Sequence, residues 1–227
     1  MVYRRTERAE RVRAAARARI LSAARKLIRI QGVEGTTIQH IVAEAGSSVG
    51  NLYFYFRNKE ALLLAVIAEI FGLIWRVGEE EMAAVSEGPG RMVVLQHVNV
   101  IAAYEHPDLA ELVLSDRFDS VVSFIETVQQ LRFKTLLSEN VPGLDDDELD
   151  LVVAAWAGVA RNALLQHLRG RCDVDFLAMA RFISRWNLTA SGLLPAEVKR
   201  ALSAAEDLDF DRIAASLRQL PWESGAD

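Results

Sequence analysis

The sequence has little cysteine, glycine and proline, and each shortage narrows the class of protein. One cysteine, Cys172, among 227 residues excludes a disulfide framework and any site built from several cysteines. The 13 glycines and 5 prolines are fewer than an average chain of this length contains. They fall in clusters between long stretches of helical periodicity, without strand-like alternation, internal repeats or low-complexity tracts. The sequence therefore predicts an all-α protein of a reducing compartment.

Long hydrophobic runs are also scarce. The N-terminus carries no uninterrupted apolar run, so we expect no signal peptide. The longest apolar stretch, residues 61–75, follows Asn58 as a predicted N-cap, contains Glu69 and is too short to span a membrane by itself. These features predict a cytoplasmic protein with no membrane segment.

The net charge of −5 hides two segments of opposite sign. Residues 1–60 contain 12 lysines and arginines against 5 aspartates and glutamates, a balance of +7. Residues 61–227 contain 14 basic against 26 acidic residues, a balance of −12. This asymmetry predicts a domain that binds a polyanion, over residues 1–60, joined to a second domain over residues 61–227.

The basic segment begins with an arginine-rich stretch, residues 4–19, which we call the basic arm. From Ile20 onward, apolar residues recur at helical spacing until Gly32, a residue type that commonly ends a helix. A short loop follows, and either Thr36 or Thr37 caps the next helix. If the segment binds DNA, we expect the part of this arm before residue 17 to add phosphate or minor-groove contacts, although a solvated basic helix face explains the same composition.

Residues 36–60 have the pattern of two short helices joined by a tight turn. The first spans residues 38–45 and stops at Gly46, and the second begins at Ser47 or Ser48. Such a pair is a helix-turn-helix, in which the first helix helps to hold the second at a fixed angle to the major groove of DNA.

Side-chain chemistry predicts which faces of this pair bind DNA. Tyr53 and Tyr55 lie off the apolar face, where their hydroxyls can reach phosphate oxygens and their rings can contact thymine methyl groups. Gly50 allows a close backbone approach, Asn51 can bond to a base edge or a phosphate, and Lys59 lies at a helix N-terminus that favours a phosphate. The residues assigned to the core are Ile38, Ile41, Val42, Ala45, Leu52, Phe54 and Phe56.

The segment from about Ile20 to Leu63 resembles the N-terminal domain of tetracycline-repressor-like (TetR) regulators. The similarity follows, in the same order and spacing, the stretches AARKLIRIQG, GTTIQHIVAEAG, SSVGNLYFYF and NKEALL. The resemblance implies a three-helix DNA-binding domain followed by a larger helical domain that binds a ligand and dimerises. It also implies DNA contacts at Thr36, Thr37, Gln39, Ser48, Val49, Gly50, Asn51, Tyr53, Tyr55 and Lys59.

The acidic segment is predicted to be helical with few breaks. Residues 86–91 form a loop, Pro107 can occupy the first turn of a helix, and residues 145–168 form a long helix opened by a D-x-x-E capping pattern. Further helices are expected over residues 175–186 and 195–220.

Polar and aromatic residues on these apolar helices are candidates for the ligand cavity that the resemblance implies. Such cavities are mostly apolar, with a few polar groups that fix the ligand's orientation. Core packing or surface exposure explains each residue singly as well. The candidates are Trp75, His97, Asn99, Tyr104, Phe118, Phe124 and Asn162.

Two late helices suit dimerisation because one carries many small residues and the other a stripe of large ones. The same stripes also fit an intramolecular core, and the resemblance favours the dimer. A two-fold dimer would place its recognition helices about 34 Å apart on a palindromic site. The candidate interface residues are Trp156, Val159, Ala160, Phe176, Met179, Ile183 and Trp186.

These observations favour a homodimeric DNA-binding repressor that leaves its operator when a small molecule binds. Control by a protein partner, or by no effector, is the alternative. We expect no cofactor, and no metal unless folding gathers His97, His106 and His167. An all-α enzyme with an anionic substrate is disfavoured because the sequence offers no nucleophile–base pair, metal motif or phosphate loop.

Overall fold

The computed structural model describes the backbone of residues 2–115, 119–141 and 143–222, and the side chains of residues 8–115, 130–141 and 143–222. Over this part of the chain all regular structure is helical. The helices are α1 (Val2–Gly35), α2 (Ile38–Glu44), α3 (Val49–Tyr55), α4 (Lys59–Met82), α5 (Pro89–Glu105), α6 (Pro107–Leu114), α7 (Asp119–Asn140), α8 (Asp146–Leu168), α9 (Phe176–Ala190), α10 (Pro195–Ser203) and α11 (Phe210–Arg218). The predicted all-α class is confirmed.

The chain forms two compact units, and their boundary lies inside α4. The first unit comprises Met1–Phe71 and Gln219–Asp227, and the second comprises Gly72–Arg218. The sequence predicts this boundary at residue 60. It lies later, after Phe71, because the first half of α4 packs in the N-terminal unit, where Val66 and Ile67 are fully buried. Residues 219–222 also belong to this unit, which nothing in their sequence indicates.

The N-terminal unit is built on α1, which breaks at Gly32 as its sequence predicts. Gly32 adopts a φ of 73°, in the left-handed region that favours glycine, and one further helical turn follows it. The two threonines after this turn have different roles. Thr37 is the N-cap of α2, since its hydroxyl accepts a hydrogen bond from the His40 amide at 3.2 Å. Thr36 instead donates to the Gly32 carbonyl at 2.7 Å.

Helix α4 is the one helix of the described chain whose length and apolar composition would also suit a membrane span. Residues 61–75 alone are too short to span a membrane, but the whole helix, with 24 residues, is long enough. Buried helices of water-soluble proteins pass the same test. Within the N-terminal unit, α4 buries Leu62, Val66 and Ile70, and its Glu69 forms an ion pair with Arg25.

The second unit is organised around α5, whose residues 92–98 are all buried. Helices α6, α7, α9, α10 and α11 all pack against α5. Helix α5 begins at Pro89, inside the stretch predicted as a loop, because proline is tolerated in the first turn where its missing N–H would have no partner. The predicted capping box of α8 is confirmed, with Asp145 and Glu148 bonded to each other's backbone amides. The last predicted helix is in fact two, α10 and α11.

Three of the residues proposed for a dimer interface belong instead to the core of this unit. Trp156 is 3 % exposed, packs edge-to-face on Phe133 and donates to the Ser191 hydroxyl at 2.9 Å. Met179 and Ile183 are equally buried and contact α5 residues. Their stripe is therefore an intramolecular one. Val159, Ala160 and Phe176 are half-buried against the same core, and Trp186 alone of the seven is largely exposed.

The buried His97 predicts a pH-dependent stability. Its Nδ1 lies 2.8 Å from the Val93 carbonyl, and burial lowers the pKa of the imidazole. The unfolded chain therefore takes up the proton at higher pH than the folded chain. The stability that the neutral ring contributes is present above the unfolded pKa of about 6.5 and is lost as the pH falls below it.

The variant His97→Asn tests this because it removes the titrating group and keeps a donor for the Val93 carbonyl. Asn99 shows the same geometry, donating to the Leu95 carbonyl at 3.0 Å. Between pH 7.5 and 5.5, the free energy of unfolding of the wild type should fall more steeply than that of the variant, by at most about 1.4 kcal/mol per pH unit. Urea unfolding at the two pH values measures this, and equal losses would contradict it.

Candidate nucleic-acid interface

A short turn joins helices α2 and α3 and determines the angle between them. Each helix begins at an N-cap residue. Helix α2 ends at Glu44, and Gly46 turns the chain with a φ of 55°. Ser48, rather than Ser47, is the N-cap of α3, and its hydroxyl accepts from the Asn51 amide at 3.2 Å. The capped ends and the left-handed glycine define a helix-turn-helix, as the sequence predicts.

The inward face of α3 is anchored by Leu52, which is fully buried, and by Phe56, which is 4 % exposed. The two residues lie one helical turn apart and therefore point the same way. On α2, Ile41 and Val42 are buried as predicted, whereas Ile38 is only half-buried. Buried anchors on both helices hold α3 in place and leave its other side free.

The outward face of α3 is apolar and exposed. Val49 is 41 % exposed, Tyr53 is 49 % exposed and Phe54 is 67 % exposed. The assignment of Phe54 to the core is therefore wrong. At about 100° per residue, Phe54 points nearly opposite Leu52, and this periodicity could have predicted its exposure.

Gly50 completes this surface. It lies one turn before Phe54, and a Cβ added there would meet no atom within 4 Å. The glycine therefore leaves open space beside the aromatic pair of Tyr53 and Phe54. We call Val49, Gly50, Tyr53 and Phe54 the reading face.

Thr36 cannot contact DNA as predicted. Its side chain is fully buried, and its hydroxyl is used by the Gly32 carbonyl. Thr37 and Gln39 at the start of α2 are exposed, and so is Ser48 at the start of α3. Asn51 is half-buried, and Nδ2 of its side chain donates to the Ser47 hydroxyl at 2.9 Å.

The last two predicted contacts lie beyond the reading face. The ring of Tyr55 is half-buried and meets the Phe54 ring edge-to-face, with 5.0 Å between ring centroids. The Lys59 ammonium donates to the Val33 carbonyl in addition to lying at the start of α4. That hydrogen bond fixes the position of the ammonium, and no carboxylate among the described residues forms an ion pair with it.

The predicted ligand residues are scattered over the second unit. Trp75 donates to Glu79 at 2.7 Å and lies under the Arg132 guanidinium. Asn162 is exposed on α8 and bonds to the Gly158 carbonyl at 2.9 Å. Phe118 and the side chain of Phe124 lie outside the described residues.

His97 and Tyr104 are linked by a row of rings. His97 stacks on Phe210, and Phe210 contacts Phe176 edge-to-face. Phe176 in turn contacts Tyr104. The Tyr104 ring stacks on that of His167, with 4.2 Å between ring centroids. The Tyr104 hydroxyl donates to the Val174 carbonyl at 2.7 Å. Burial, with the Cys172 thiol and the carboxylate of Asp175 nearby, raises the pKa of Tyr104 to about 12, so the phenol stays neutral at physiological pH.

Three buried polar atoms on α5 and α9 have no hydrogen-bond partner among the described residues. They are Nε2 of His97, Oγ of Ser184 and Nδ2 of Asn187. No pattern in the sequence indicates the α9 pair, since the serine and the asparagine have no distinctive spacing there. His106 bonds to the Leu217 carbonyl, and no group of three metal-binding side chains occurs in the described part of the chain.

The N-terminal unit has the parts of a DNA-binding domain. A capped helix-turn-helix holds a short helix with one side buried and the other exposed, inside a segment whose net charge is +7. The protein is thus of the helix-turn-helix class.

Comparison with known families gives the same result. The family model "Bacterial regulatory proteins, tetR family" matches residues 20–66, the stretch from the last turns of α1 into α4. Over these residues the chain is similar to the DNA-binding regulators of the tetR family. The similarity to the nicotine-responsive transcriptional repressor HdnoR of Paenarthrobacter nicotinovorans is 25 % identity over 145 residues, 55 % of this chain and 75 % of that protein.

Solved structures extend the similarity in fold to most of the chain. RolR in complex with resorcinol superposes with a TM-score of 0.58 at 21 % identity, covering 86 % of this chain and 96 % of that one. FadR of Bacillus subtilis in complex with stearoyl-CoA superposes with a TM-score of 0.58 at 18 % identity, covering 78 % and 99 %. Over most of its length the chain therefore has a helical fold similar to those of RolR and FadR.

Proposed function

We propose that this regulator is a homodimeric repressor that binds a palindromic operator and is released by a small-molecule effector. The observation that carries the proposal is the reading face of α3, an exposed aromatic surface on a helix anchored by Leu52 and Phe56. Thymine methyl groups in the major groove are the apolar features that such a surface can contact. Thr37, Gln39, Ser48 and Asn51 would add polar contacts to bases and phosphates.

The dimer interface that we propose uses α8 and α9, and of the residues first assigned to it only Trp186 and Val159 remain. Leu151 is 72 % exposed, and Phe182 and Trp186 stack on each other with 44 % and 56 % of their surfaces exposed. Between the helices lies an open groove of about 480 Å³ lined mainly by small and apolar residues, namely Ala155, Gly158, Val159, Asn162, Ala163, Gln166 and Phe182. Small residues permit close helix approach, and a second copy would fill each groove with the other's aromatic pair.

The effector proposal is supported by the unpartnered polar atoms of His97, Ser184 and Asn187. Burying a polar group without a partner costs free energy, and the polar groups of a bound ligand would compensate for it. HdnoR is named nicotine-responsive, and RolR and FadR are described in complex with resorcinol and stearoyl-CoA. An effector that favours one spacing of the two DNA-binding domains would shift the dimer away from operator binding.

Regulation by a protein partner, or without an effector, is the second candidate. In the described part of the chain, the reading face of α3 is suited to DNA binding and we identify no catalytic centre. We propose no enzymatic activity. A cytoplasmic location fits this function, because the DNA is there. No metal or cofactor is part of the proposal.

The experiment that tests the effector proposal combines two readouts on the full chain. A mobility-shift assay on DNA upstream of its own gene measures operator binding, and a thermal-shift screen of small aromatic and acyl compounds identifies candidate effectors. A true effector raises the unfolding temperature and also releases the DNA. Compounds that change neither, while the DNA is bound tightly, would favour the second candidate.

Lys59 allows a separate test of the phosphate contact at α4. Replacing it by alanine should weaken DNA binding and make the dependence of log K on log salt concentration shallower by about 0.9 per lost phosphate contact. Titrations at four salt concentrations measure this slope. Because Lys59 also bonds to Val33, Lys59→Met serves as a control that restores the length of the side chain but not its charge. A slope unchanged in both variants would exclude the contact.

A further inference from the structure

The basic arm extends α1 beyond the body of the N-terminal unit. Of residues 8–19, all are exposed except Ala16, which is half-buried, and the first fully buried residue of α1 is Ile20. These twelve residues span about 18 Å at the helical rise of about 1.5 Å per residue. A helix exposed on all sides gains little from packing, so its stability here depends on its alanines and arginines.

The charge of this exposed helix is positive and unpaired. Residues 8–19 contain five arginines and one glutamate. Among the described residues, no ion pair involves Arg8, Arg11, Arg13 or Arg19, in contrast to Arg25 and Lys26 further along α1, which pair with Glu69 and Glu44. The arm thus presents a run of free guanidinium groups to solvent.

The arm leaves the domain next to the recognition helix. The guanidinium of Arg17 lies over the ring of Phe56, 5.3 Å from its centroid. Phe56 is the C-cap of α3, so the base of the arm is held at the end of that helix. When the reading face is in the major groove, the arm therefore projects from a point close to the duplex.

We propose that the basic arm binds the phosphate backbone of DNA flanking the half-site that α3 contacts. This inference rests on the proposed function, in which the reading face of α3 binds DNA, and it adds a second DNA-contacting surface to the protein. Duplex DNA carries one negative charge per about 1.7 Å of axis, which gives roughly ten phosphates over the length of the arm. Arginine forms bidentate hydrogen bonds with phosphate, so unpaired arginines are suited to this role.

Composition separates this partner from a lipid surface. A helix that lies in a membrane interface needs a wide apolar face with large side chains. Between residues 8 and 19 the one large apolar side chain is Val12, which is 63 % exposed. The remainder is arginine, alanine and a single glutamate, which offers charge to a polyanion and no face to acyl chains.

The test compares three forms of the full chain on two duplexes. The forms are the wild type, the arm variant Arg8→Ala/Arg11→Ala/Arg13→Ala, and the control variant Arg169→Ala/Lys199→Ala/Arg200→Ala, which removes the same charge from exposed positions of the second unit. Alanine keeps the helix propensity of the arm. The duplexes are the minimal sequence enriched by the wild type from a random pool, and the same sequence with ten extra base pairs on each side.

We expect the wild type and the control variant to bind the longer duplex at least tenfold more tightly than the minimal one at 0.15 M salt. The arm variant should lose this gain. Its slope of log K against log salt should be shallower by about 0.9 per lost phosphate contact, and so by up to about 5 for three arginines in each of two arms. Equal slopes and an equal gain in the arm variant would overturn the inference. A wild type that enriches no sequence would instead refute operator binding.

Discussion

Replacing Phe182 and Trp186 together by glutamate is expected to give a folded monomer that binds its operator at least a hundredfold more weakly than the wild type. Both side chains are half-exposed, so the substitution should leave the core of the second unit intact. Two charged residues in an apolar groove would oppose the approach of a second copy. Because linking two DNA-binding domains raises affinity by roughly 10²- to 10⁴-fold, the monomer loses that gain.

Two measurements are needed for this prediction. Sedimentation equilibrium gives the oligomeric state, and fluorescence anisotropy with labelled operator gives the affinity. Leu131→Glu and Leu194→Glu are matched controls, since these leucines are exposed apolar residues of the second unit outside the groove. If the double glutamate variant remains a dimer with unchanged affinity, α8 and α9 do not form the interface.

Removing the aromatic pair of the reading face is expected to have a similar effect by a different route. The variant Tyr53→Ala/Phe54→Ala should bind the operator 10²- to 10⁴-fold more weakly. If the two rings together contribute about 1.5–3 kcal/mol in each protomer, two protomers lose about 3–6 kcal/mol, and each 1.4 kcal/mol corresponds to a factor of ten. Since Phe54 is 67 % exposed in the free protein, the thermal unfolding temperature should change little.

A more conservative change separates the ring of Tyr53 from its hydroxyl. Tyr53→Phe keeps the apolar contact and removes a single hydrogen bond, so it should weaken binding by roughly tenfold or less. Leu194→Ala, a substitution at an exposed apolar residue far along the sequence, should leave binding unchanged. If Phe54→Ala binds as tightly as the wild type, the exposed ring has no contact with DNA.

Local signals in the sequence predicted the helices and their ends well. The caps at Asn58 and Asp145 and the breaks at Gly32 and Gly46 depend on nearby residues, and the structure has each of them. The core positions Leu52 and Phe56 followed from their helical spacing. Such features need no knowledge of distant parts of the chain.

The failures had two causes: a helical direction that was not used, and environments set by tertiary contacts. Phe54 was assigned to the core for its apolar ring, although its direction on α3 is outward. On α9 the stripe of Met179 and Ile183 continues to the buried Asn187, whereas Trp186, about 100° from Asn187, is exposed. A sequence shows that a helix has an apolar stripe, but the partner of the stripe, another copy or the same chain, is decided by packing.

The polar side chains that distinguish the second unit were the hardest feature to predict from the sequence. His97 was a candidate because of its residue type, but the unpartnered Ser184 and Asn187 lie on α9, more than eighty residues away in sequence. Residues so far apart in sequence share no spacing that would connect them. The DNA-binding helices, by contrast, are contiguous in sequence, which is why their motif was evident.

The most direct test of the account is the selection of DNA by the wild type and by the Tyr53→Ala/Phe54→Ala variant from a pool of random duplexes. The account predicts that the wild type enriches one palindrome whose half-sites are about one helical turn apart, and that the variant fails to enrich it. If the folded wild type enriches no sequence at low salt, or if the variant selects the same palindrome, α3 does not read DNA as proposed.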